Sequence, residues 1–236
     1  MARLDTQDRL MAACRDLIVT AGVDKCSVEN ICAGAGFSRG AFYSNFSTKE
    51  ELFAALAEEE YTRLVDHLRG LCEGWQASRG LGPAEGGDSE AIVRSLLHEA
   101  IDSFGFDDSL YLLHTELMTR AVRDPEWAVA LGGVNSRFID EMGTLLTTIL
   151  ALAGRQLSGN LRPLTHAAIA LVLRAAAIHS WRAGAAAHAD PTSTHSGGVA
   201  TSLGTDIIDV LVHLLMCSST PLSALGTKGV SPAQTR

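Results

Sequence analysis

Apolar residues recur along almost the whole of this chain at the 3.6-residue spacing of an α-helix, and no convincing run of period two interrupts them. A chain patterned this way buries its apolar stripes by packing helix on helix, so an all-α fold of about nine helices is expected. Leu10, Cys14, Leu17 and Ala21 make the first stripe, widened by Met11 and Ile18, and Gly22 stops it. Ser27 is a good N-cap for a second helix with Val28, Ile31, Cys32 and Ala35 on one face, ending at Gly36. Ser38 can cap a short third helix that turns Phe37, Phe42 and Phe46 inward. Thr48 caps a fourth, Glu51 completes a capping box with it, and Leu52, Phe53, Leu56, Leu64 and Leu68 continue the stripe. Two short helices joined by a turn containing Gly36 match a helix-turn-helix, so residues 1–50 are expected to form a three-helix unit.

Beyond the fourth helix, residues 77–90 hold too much Gly and Pro for a helix and are expected to be a loop. Val93, Leu96, Leu97, Ala100, Ile101 and Phe104 mark a fifth helix, and residues 110–120 a sixth. Asp124 followed by Pro125 is an N-cap and first-position proline for a long seventh helix, buried through Trp127, Leu131, Val134, Phe138, Met142, Leu145 and Ile149 and ending at Gly154. Pro163 opens an eighth helix that is apolar on nearly every side, which calls for cover all round, including cover from a second subunit. Residues 185–200 read as a loop, 203–216 as an amphipathic ninth helix, and the Ser/Thr/Pro/Gly-rich residues 219–236 as a disordered tail. Three segments follow: 1–50, 51–218 and 219–236.

Charge limits where a polyanion could bind. The net charge is −8, yet residues 1–50 are neutral, with six Lys/Arg against six Asp/Glu, so contact with a nucleic acid is expected there. No apolar run approaches the roughly 18 residues of a membrane span, and the charged first ten residues lack the apolar stretch of a signal peptide. A cytoplasmic protein without membrane contact is expected. The five cysteines, Cys14, Cys26, Cys32, Cys72 and Cys217, are odd in number and form no CxxC pair, so neither a disulfide framework nor a zinc site is indicated, and no other cofactor is implied.

With its phenylalanines inward, the third helix sends Arg39, Gly40, Tyr43 and Ser44 outward, with Ala41 and Asn45 beside them. Such a face suits a major groove. Arg39 can bond a guanine edge bidentately, Gly40 and Ala41 permit close approach, and Ser44 and Asn45 can reach bases or phosphates. Tyr43 and Lys49, with the backbone amides at the Ser27 and Thr48 helix starts, would hold phosphates. Taken alone, a short helix with one arginine reads more simply as the solvated face of a small bundle.

The stretch SVENICAGAGFSRGAFYSNFSTKEELF decides between them, because it resembles the DNA-binding domain of the TetR family of bacterial transcriptional regulators. The shared pattern is a capped second helix, a glycine turn, a recognition helix with the pair Phe42-Tyr43, then Phe46 and a Ser/Thr-Lys-Glu start to the fourth helix; it covers residues 5–56. The resemblance implies DNA contacts by Ser27, Arg39, Gly40, Ala41, Tyr43, Ser44, Asn45 and Lys49, and the helix-start residues Ser38 and Thr48 complete the expected set. The chain departs from the family at Asn45, often histidine there, and at Ser47, often proline. It also implies a C-terminal helical domain for ligand binding and dimerisation, a homodimer built from the last two long helices, a palindromic operator, and repression relieved by a small-molecule effector, with an activator in the same DNA-binding role as the alternative.

The effector is not legible. Phe104, Tyr111, His114, Trp127, Phe138, His179 and Trp181 could line an apolar pocket or be plain core. His114 and Glu116 fall on different helix faces and make a poor metal pair, and His166 and His179 read as structural. No nucleophile elbow, phosphate loop, HExxH or paired catalytic carboxylate is present, so an enzyme is not expected. A thiol-responsive regulator would rely on Cys26 as the exposed candidate, since Cys14 and Cys32 sit on apolar stripes.

Overall fold

The computed structural model describes residues 2–79, 88–103, 108–189 and 198–222. Among these, nine α-helices run in order: α1 (Ala2–Ala21), α2 (Val28–Ala35), α3 (Arg39–Tyr43), α4 (Lys49–Arg79), α5 (Ser89–Ser103), α6 (Asp108–Arg123), α7 (Pro125–Leu152), α8 (Leu161–Ala189) and α9 (Gly198–Cys217). A 3₁₀ turn, Val23–Lys25, separates α1 from α2, and two short strands, β1 (Arg155–Leu157) and β2 (Ser219–Pro221), pair antiparallel with Gln156 opposite Thr220. The all-α expectation holds.

The helices gather into two compact units, one drawing its described residues from Met1–Asp66 and Phe106–Phe138, the other from His67–Gly105 and Ile139–Arg236. Helices α4 and α7 each continue from one unit into the other.

In the first unit the predicted stripes meet in one core. Leu10, Cys14 and Ile18 of α1, Ile31 of α2, Phe42 of α3 and Phe53 of α4 are all essentially inaccessible to water. Phe53 meets Trp127 edge-on, ring centroids 6.0 Å apart, and the Trp127 indole N–H donates to the Leu117 carbonyl at 3.0 Å, so this buried polar atom is satisfied. Three acidic residues of α4 each reach an arginine on a different neighbouring helix. Glu50 lies 3.6 Å from Arg120 of α6, Glu58 pairs with Arg137 of α7, and Glu60 lies 3.0 Å from Arg15 of α1.

In the second unit α5, α8 and α9 pack through residues such as Val93, Leu96, Leu211 and Leu215, and Arg94 pairs with Asp209. Arg155 fixes the end of α9, donating to the carbonyls of Met216 at 3.0 Å and Ser219 at 2.6 Å.

Several boundaries differ from the sequence reading. Helix α4 continues through Arg79, so residues 77–79 are helical rather than loop. Ala185, Ala186 and Ala187 carry α8 on to Ala189, and α9 starts at Gly198, which shortens the expected loop 185–200 from both ends. Helix α8 begins at Leu161 instead of Pro163, because Asn160 Oδ1 accepts from the Arg162 N–H at 3.1 Å and caps it earlier. Residues 219–221 form β2 and not part of a disordered tail, and each strand, at three residues, is too short to register as period two. Helix α8 also corrects the expectation that no apolar run approaches the length of a membrane span. Its Leu161–Ile178 segment has mean hydropathy 1.4 over 18 residues, long and apolar enough to cross a bilayer by length and composition, with 28% of it buried. Phe104 lies outside the described residues, as does the side chain of His179.

Candidate nucleic-acid interface

The loops around α2 and α3 are set by local hydrogen bonds. Ser27 takes extended dihedrals and its Oγ accepts from the Asn30 N–H at 3.1 Å, starting α2; the Asn30 amide in turn donates to the Lys25 carbonyl at 2.8 Å. Helix α2 ends at Gly36, whose φ of 71° is a left-handed turn that glycine adopts without strain. Arg9 secures this corner from α1, donating to the Ala35 carbonyl at 2.9 Å with its guanidinium 4.5 Å from the centre of the Phe37 ring. Ser38 Oγ then accepts from the Ala41 N–H at 3.2 Å and starts α3. At the head of α4, Thr48 Oγ1 accepts from the Glu51 N–H at 3.1 Å, while the Glu51 carboxylate accepts from the Ser47 N–H at 2.7 Å.

Helix α3 is a single turn, anchored by Phe42 at 0% exposure and Phe46 at 4%, while Phe37 is half-buried. Its outer side carries Ser38, Arg39, Gly40, Tyr43 and Ser44, all exposed, with Thr48 exposed nearby in sequence. Ser27, Ala41, Asn45 and Lys49 are half-buried. Two of these turn back toward the protein. Asn45 donates its amide to the Ala41 carbonyl at 2.8 Å and leaves its Oδ1 buried without a partner; the Lys49 ammonium sits 6.0 Å from the Phe53 ring centre. Ser44 likewise donates its hydroxyl to the Gly40 carbonyl at 2.8 Å, which leaves oxygen lone pairs as its outward function.

The capping hydroxyls have complementary capacity. Ser27, Ser38 and Thr48 each use oxygen lone pairs to accept from a backbone N–H, so each retains its own O–H to donate to an anion. A phosphate oxygen placed there would meet a hydroxyl donor and the positive end of a helix together, although α3 is too short for much dipole.

Arg39 is the one full cation on the outer side of α3. Its Nη1 lies 3.0 Å from Oε1 of Glu29 on α2, both side chains being well exposed. The hydrogen bond to Tyr43, and then the Glu29 charge, hold Arg39 still more firmly in its charged state. Sequence reasoning had not picked out Glu29, Arg9 or Asn30. Asn30 could have been found from the Ser-x-x-Asn spacing after Ser27; Glu29 and Arg9 reach their partners across a turn that no fixed spacing encodes.

The other candidates separate. The Tyr61 hydroxyl lies 2.7 Å from Nδ1 of His114 and its ring meets Phe138 at 5.5 Å, a buried polar pair with an aromatic neighbour. Burial lowers the His114 pKa and raises that of Tyr61, so both stay neutral. Trp127 is core, Tyr111 is half-buried and Trp181 is 73% exposed. A cavity of about 470 Å³ in the first unit is lined by Val23, Asp24 and residues of α6 and α7 including Glu116, Arg120 and Arg123, and by none of the aromatic candidates. Cys26 is buried, against the exposure expected of it, because it packs into the first unit's core. Its hydrogen bond and burial push the neighbouring Cys14 thiol up and away from the reactive thiolate. Cys217 is the exposed cysteine, beside His213 at 3.6 Å.

Residues 10–56 match the family described as bacterial regulatory proteins, tetR family. The HTH-type transcriptional regulator YvdT of Bacillus subtilis is 34% identical over 67 residues, 28% of this chain and 34% of that protein. A Mycobacterium tuberculosis HTH-type regulator, Rv2250c, is 27% identical over 115 residues, 49% of this chain and 53% of that one. The chain thus spans between a third and about half of the length of these relatives. Among solved structures, a TetR-family regulator from Mesorhizobium loti superposes with a TM-score of 0.64 at 16% identity, covering 93% of this chain and 98% of that one. Salmonella enterica GusR gives 0.61 at 21% identity, covering 91% and 97%, and Bacillus subtilis FadR, in complex with stearoyl-CoA, 0.61 at 13%, covering 87% and 97%. At these identities the structures speak for the fold.

Proposed function

Starting from a TetR-family transcriptional regulator, the family that its residues 10–56 match, we propose that the chain is a cytoplasmic homodimeric repressor that binds a palindromic operator and leaves it when a small molecule binds. The observation that carries the DNA-binding half is the outer side of α3, where Arg39, Gly40, Tyr43 and Ser44 stand exposed and the cap hydroxyls of Ser27, Ser38 and Thr48 keep a donor free. In this reading Arg39 bonds a guanine edge, Gly40 and Ala41 let the backbone approach, and Ser44 either accepts from a base amino group or turns its hydroxyl from the Gly40 carbonyl to a phosphate. Tyr43, Lys49 and the cap hydroxyls hold phosphates and set the register. Lys49 and Asn45 swing outward on binding, since the first now lies over Phe53 and the second bonds Ala41.

Dimerisation supplies the second recognition helix. The Leu161–Ile178 segment of α8 is apolar yet only 28% buried, and Val210 of α9 is 49% exposed, so a second copy would cover surface that water otherwise meets. A twofold axis would set two α3 helices about 34–36 Å apart, on successive major-groove faces. Release then requires an effector that binds better to a conformation with the wrong spacing, with a coupling of about 1–3 kcal/mol. Helix α4 is the candidate lever, because it starts at the capped Thr48 turn and continues unbroken into the second unit.

The test is selection of bound sequences from a random duplex pool at near-physiological salt, with molar mass measured alongside. A recovered palindrome and a dimer support this reading. No enrichment from a monomer would end it.

A further inference from the structure

We infer that Glu29 is a specificity-determining residue of the DNA interface, working with Arg39 as one reading unit for a guanine and an adjacent cytosine. The inference rests on the reading of α3 as the recognition helix. Glu29 lies in the first turn of α2, and its Oε1 crosses to Nη1 of Arg39 at 3.0 Å, beside the exposed Tyr43 of the same helix turn as Arg39. The Glu29 and Arg39 side chains are 58% and 61% exposed, so water screens the pair and it adds little to stability.

A carboxylate in the first turn of a helix is favoured by the helix dipole wherever it points. That accounts for an acidic residue on α2 but not for its reach across the Gly36 turn to the next helix. On a surface meant for a polyanion the carboxylate repels phosphates and lowers affinity for every sequence. It gains only where a donor meets it, and the exocyclic amino group of cytosine is such a donor in the major groove. Thymine O4 or guanine O6 in the same place would set oxygen against oxygen, an unfavourable contact that discriminates by rejection. Meanwhile the Glu29 contact occupies Nη1 and restrains the Arg39 guanidinium, leaving Nε and Nη2 as the fork for guanine O6 and N7.

Selection from a random duplex pool with the full chain and its Glu29→Gln, Glu29→Ala and Arg39→Ala variants tests this, thermal unfolding serving as the check that each exposed substitution leaves the fold intact. In the parent, each half-site should show a guanine column beside a cytosine column preferred about five- to tenfold. Glu29→Ala should erase the cytosine preference and keep the guanine column, and Glu29→Gln should shift the same column toward adenine, which glutamine can read bidentately. Both should bind unrelated duplex more tightly than the parent. If both Glu29 variants return the parent's columns while Arg39→Ala loses its guanine, the role given to Glu29 is wrong and α3 remains the recognition helix. If Arg39→Ala also returns the parent's columns, the reading of α3 fails and this inference with it.

Discussion

Arg15 of α1 and Glu60 of α4 form an ion pair with Nε 3.0 Å from Oε1, and the Glu60 side chain is only 7% exposed. Arg63, one turn along α4, reaches the same carboxylate oxygen at 2.7 Å. A carboxylate so far out of water is stable only when charged partners and donors replace its hydration. The consequence is geometric: α1, which also braces the corner between α2 and α3 through Arg9 and Ala35, is keyed to one position along α4.

Replacing Glu60 should therefore cost more than a surface ion pair would. Glu60→Gln keeps the volume and removes the charge, and should lower unfolding free energy by about 1–3 kcal/mol in urea titration. A double-mutant cycle with Arg15→Ala should give a coupling of at least about 0.5 kcal/mol. Additive losses would mean that the two side chains do not depend on each other.

Arg39 and Lys49 should fail in different ways. Arg39→Ala should cost about 1–3 kcal/mol of operator binding and relax preference at one base position per half-site. Lys49→Ala should weaken all sequences alike and lower the salt slope by about one unit. Titrations by anisotropy at several salt concentrations separate the two, and parent-like binding by both would mean that α3 is wrongly oriented.

Ser27 allows stability and DNA contact to be separated. Ser27→Ala removes the acceptor for the Asn30 N–H and should cost about 1 kcal/mol of stability. Ser27→Asp restores an acceptor and so should recover the thermal midpoint, but it exchanges the free hydroxyl donor for a negative charge. Operator binding should fall at least tenfold in this variant, about 1.4 kcal/mol by the usual conversion. Full binding by Ser27→Asp would show that no phosphate meets this helix start.

Acid should loosen the first unit through His114. Burial places its folded pKa below the ordinary 6.5, so at low pH the unfolded chain binds a proton that the folded chain refuses. The stabilisation is complete above about pH 6.5 and is lost as pH falls through the lower folded value. A protonated His114 could only donate at Nδ1, so the Tyr61 hydroxyl would have to accept there. The thermal midpoint should drop between about pH 7.5 and pH 5.5, and should drop less in His114→Gln. Equal slopes for the two proteins would assign the acid sensitivity elsewhere.

Caps and periodic stripes were readable in the sequence because they depend on residues three or four apart. Ser27 with Asn30, Ser38 with Ala41 and Thr48 with Glu51 all bond as their spacing implies, and Asp124 accepts from the amides of Glu126 and Trp127 at the start of α7. Long-range partners were not readable, since Arg15 and Glu60 are 45 residues apart and no local rule joins them. At the candidate interface the residue types were legible but their present conformations were not. Asn45 bonds Ala41 and Lys49 covers Phe53 at a spacing of four, where spacing alone does not choose between folding back and reaching outward, and Arg39 leans on Glu29 across the Gly36 turn, where no local rule applies. Cys26 failed as an exposed thiol for the same reason, because what buries it is the packing of other helices around the first unit's core.

The dimer reading has its own test, independent of DNA. Val210 on α9 is 49% exposed, while Ile208, Leu211, Val212 and Leu215 face inward, so Val210 lies on the side of α9 left for a partner. A glutamate there would be buried without a counter-charge at a twofold interface and, by symmetry, would be introduced twice, close to its own copy. Val210→Glu should therefore convert a dimer to a monomer in sedimentation equilibrium while leaving helical content unchanged, because in the isolated subunit the new carboxylate reaches water. Affinity for a two-half-site operator should collapse with it, whereas weak binding to one half-site should survive, since nothing in α2 or α3 has changed. A Val210→Glu protein that remains a dimer would place the subunit contact on another face, and the half-buried apolar residues of α8 would then need a different cover.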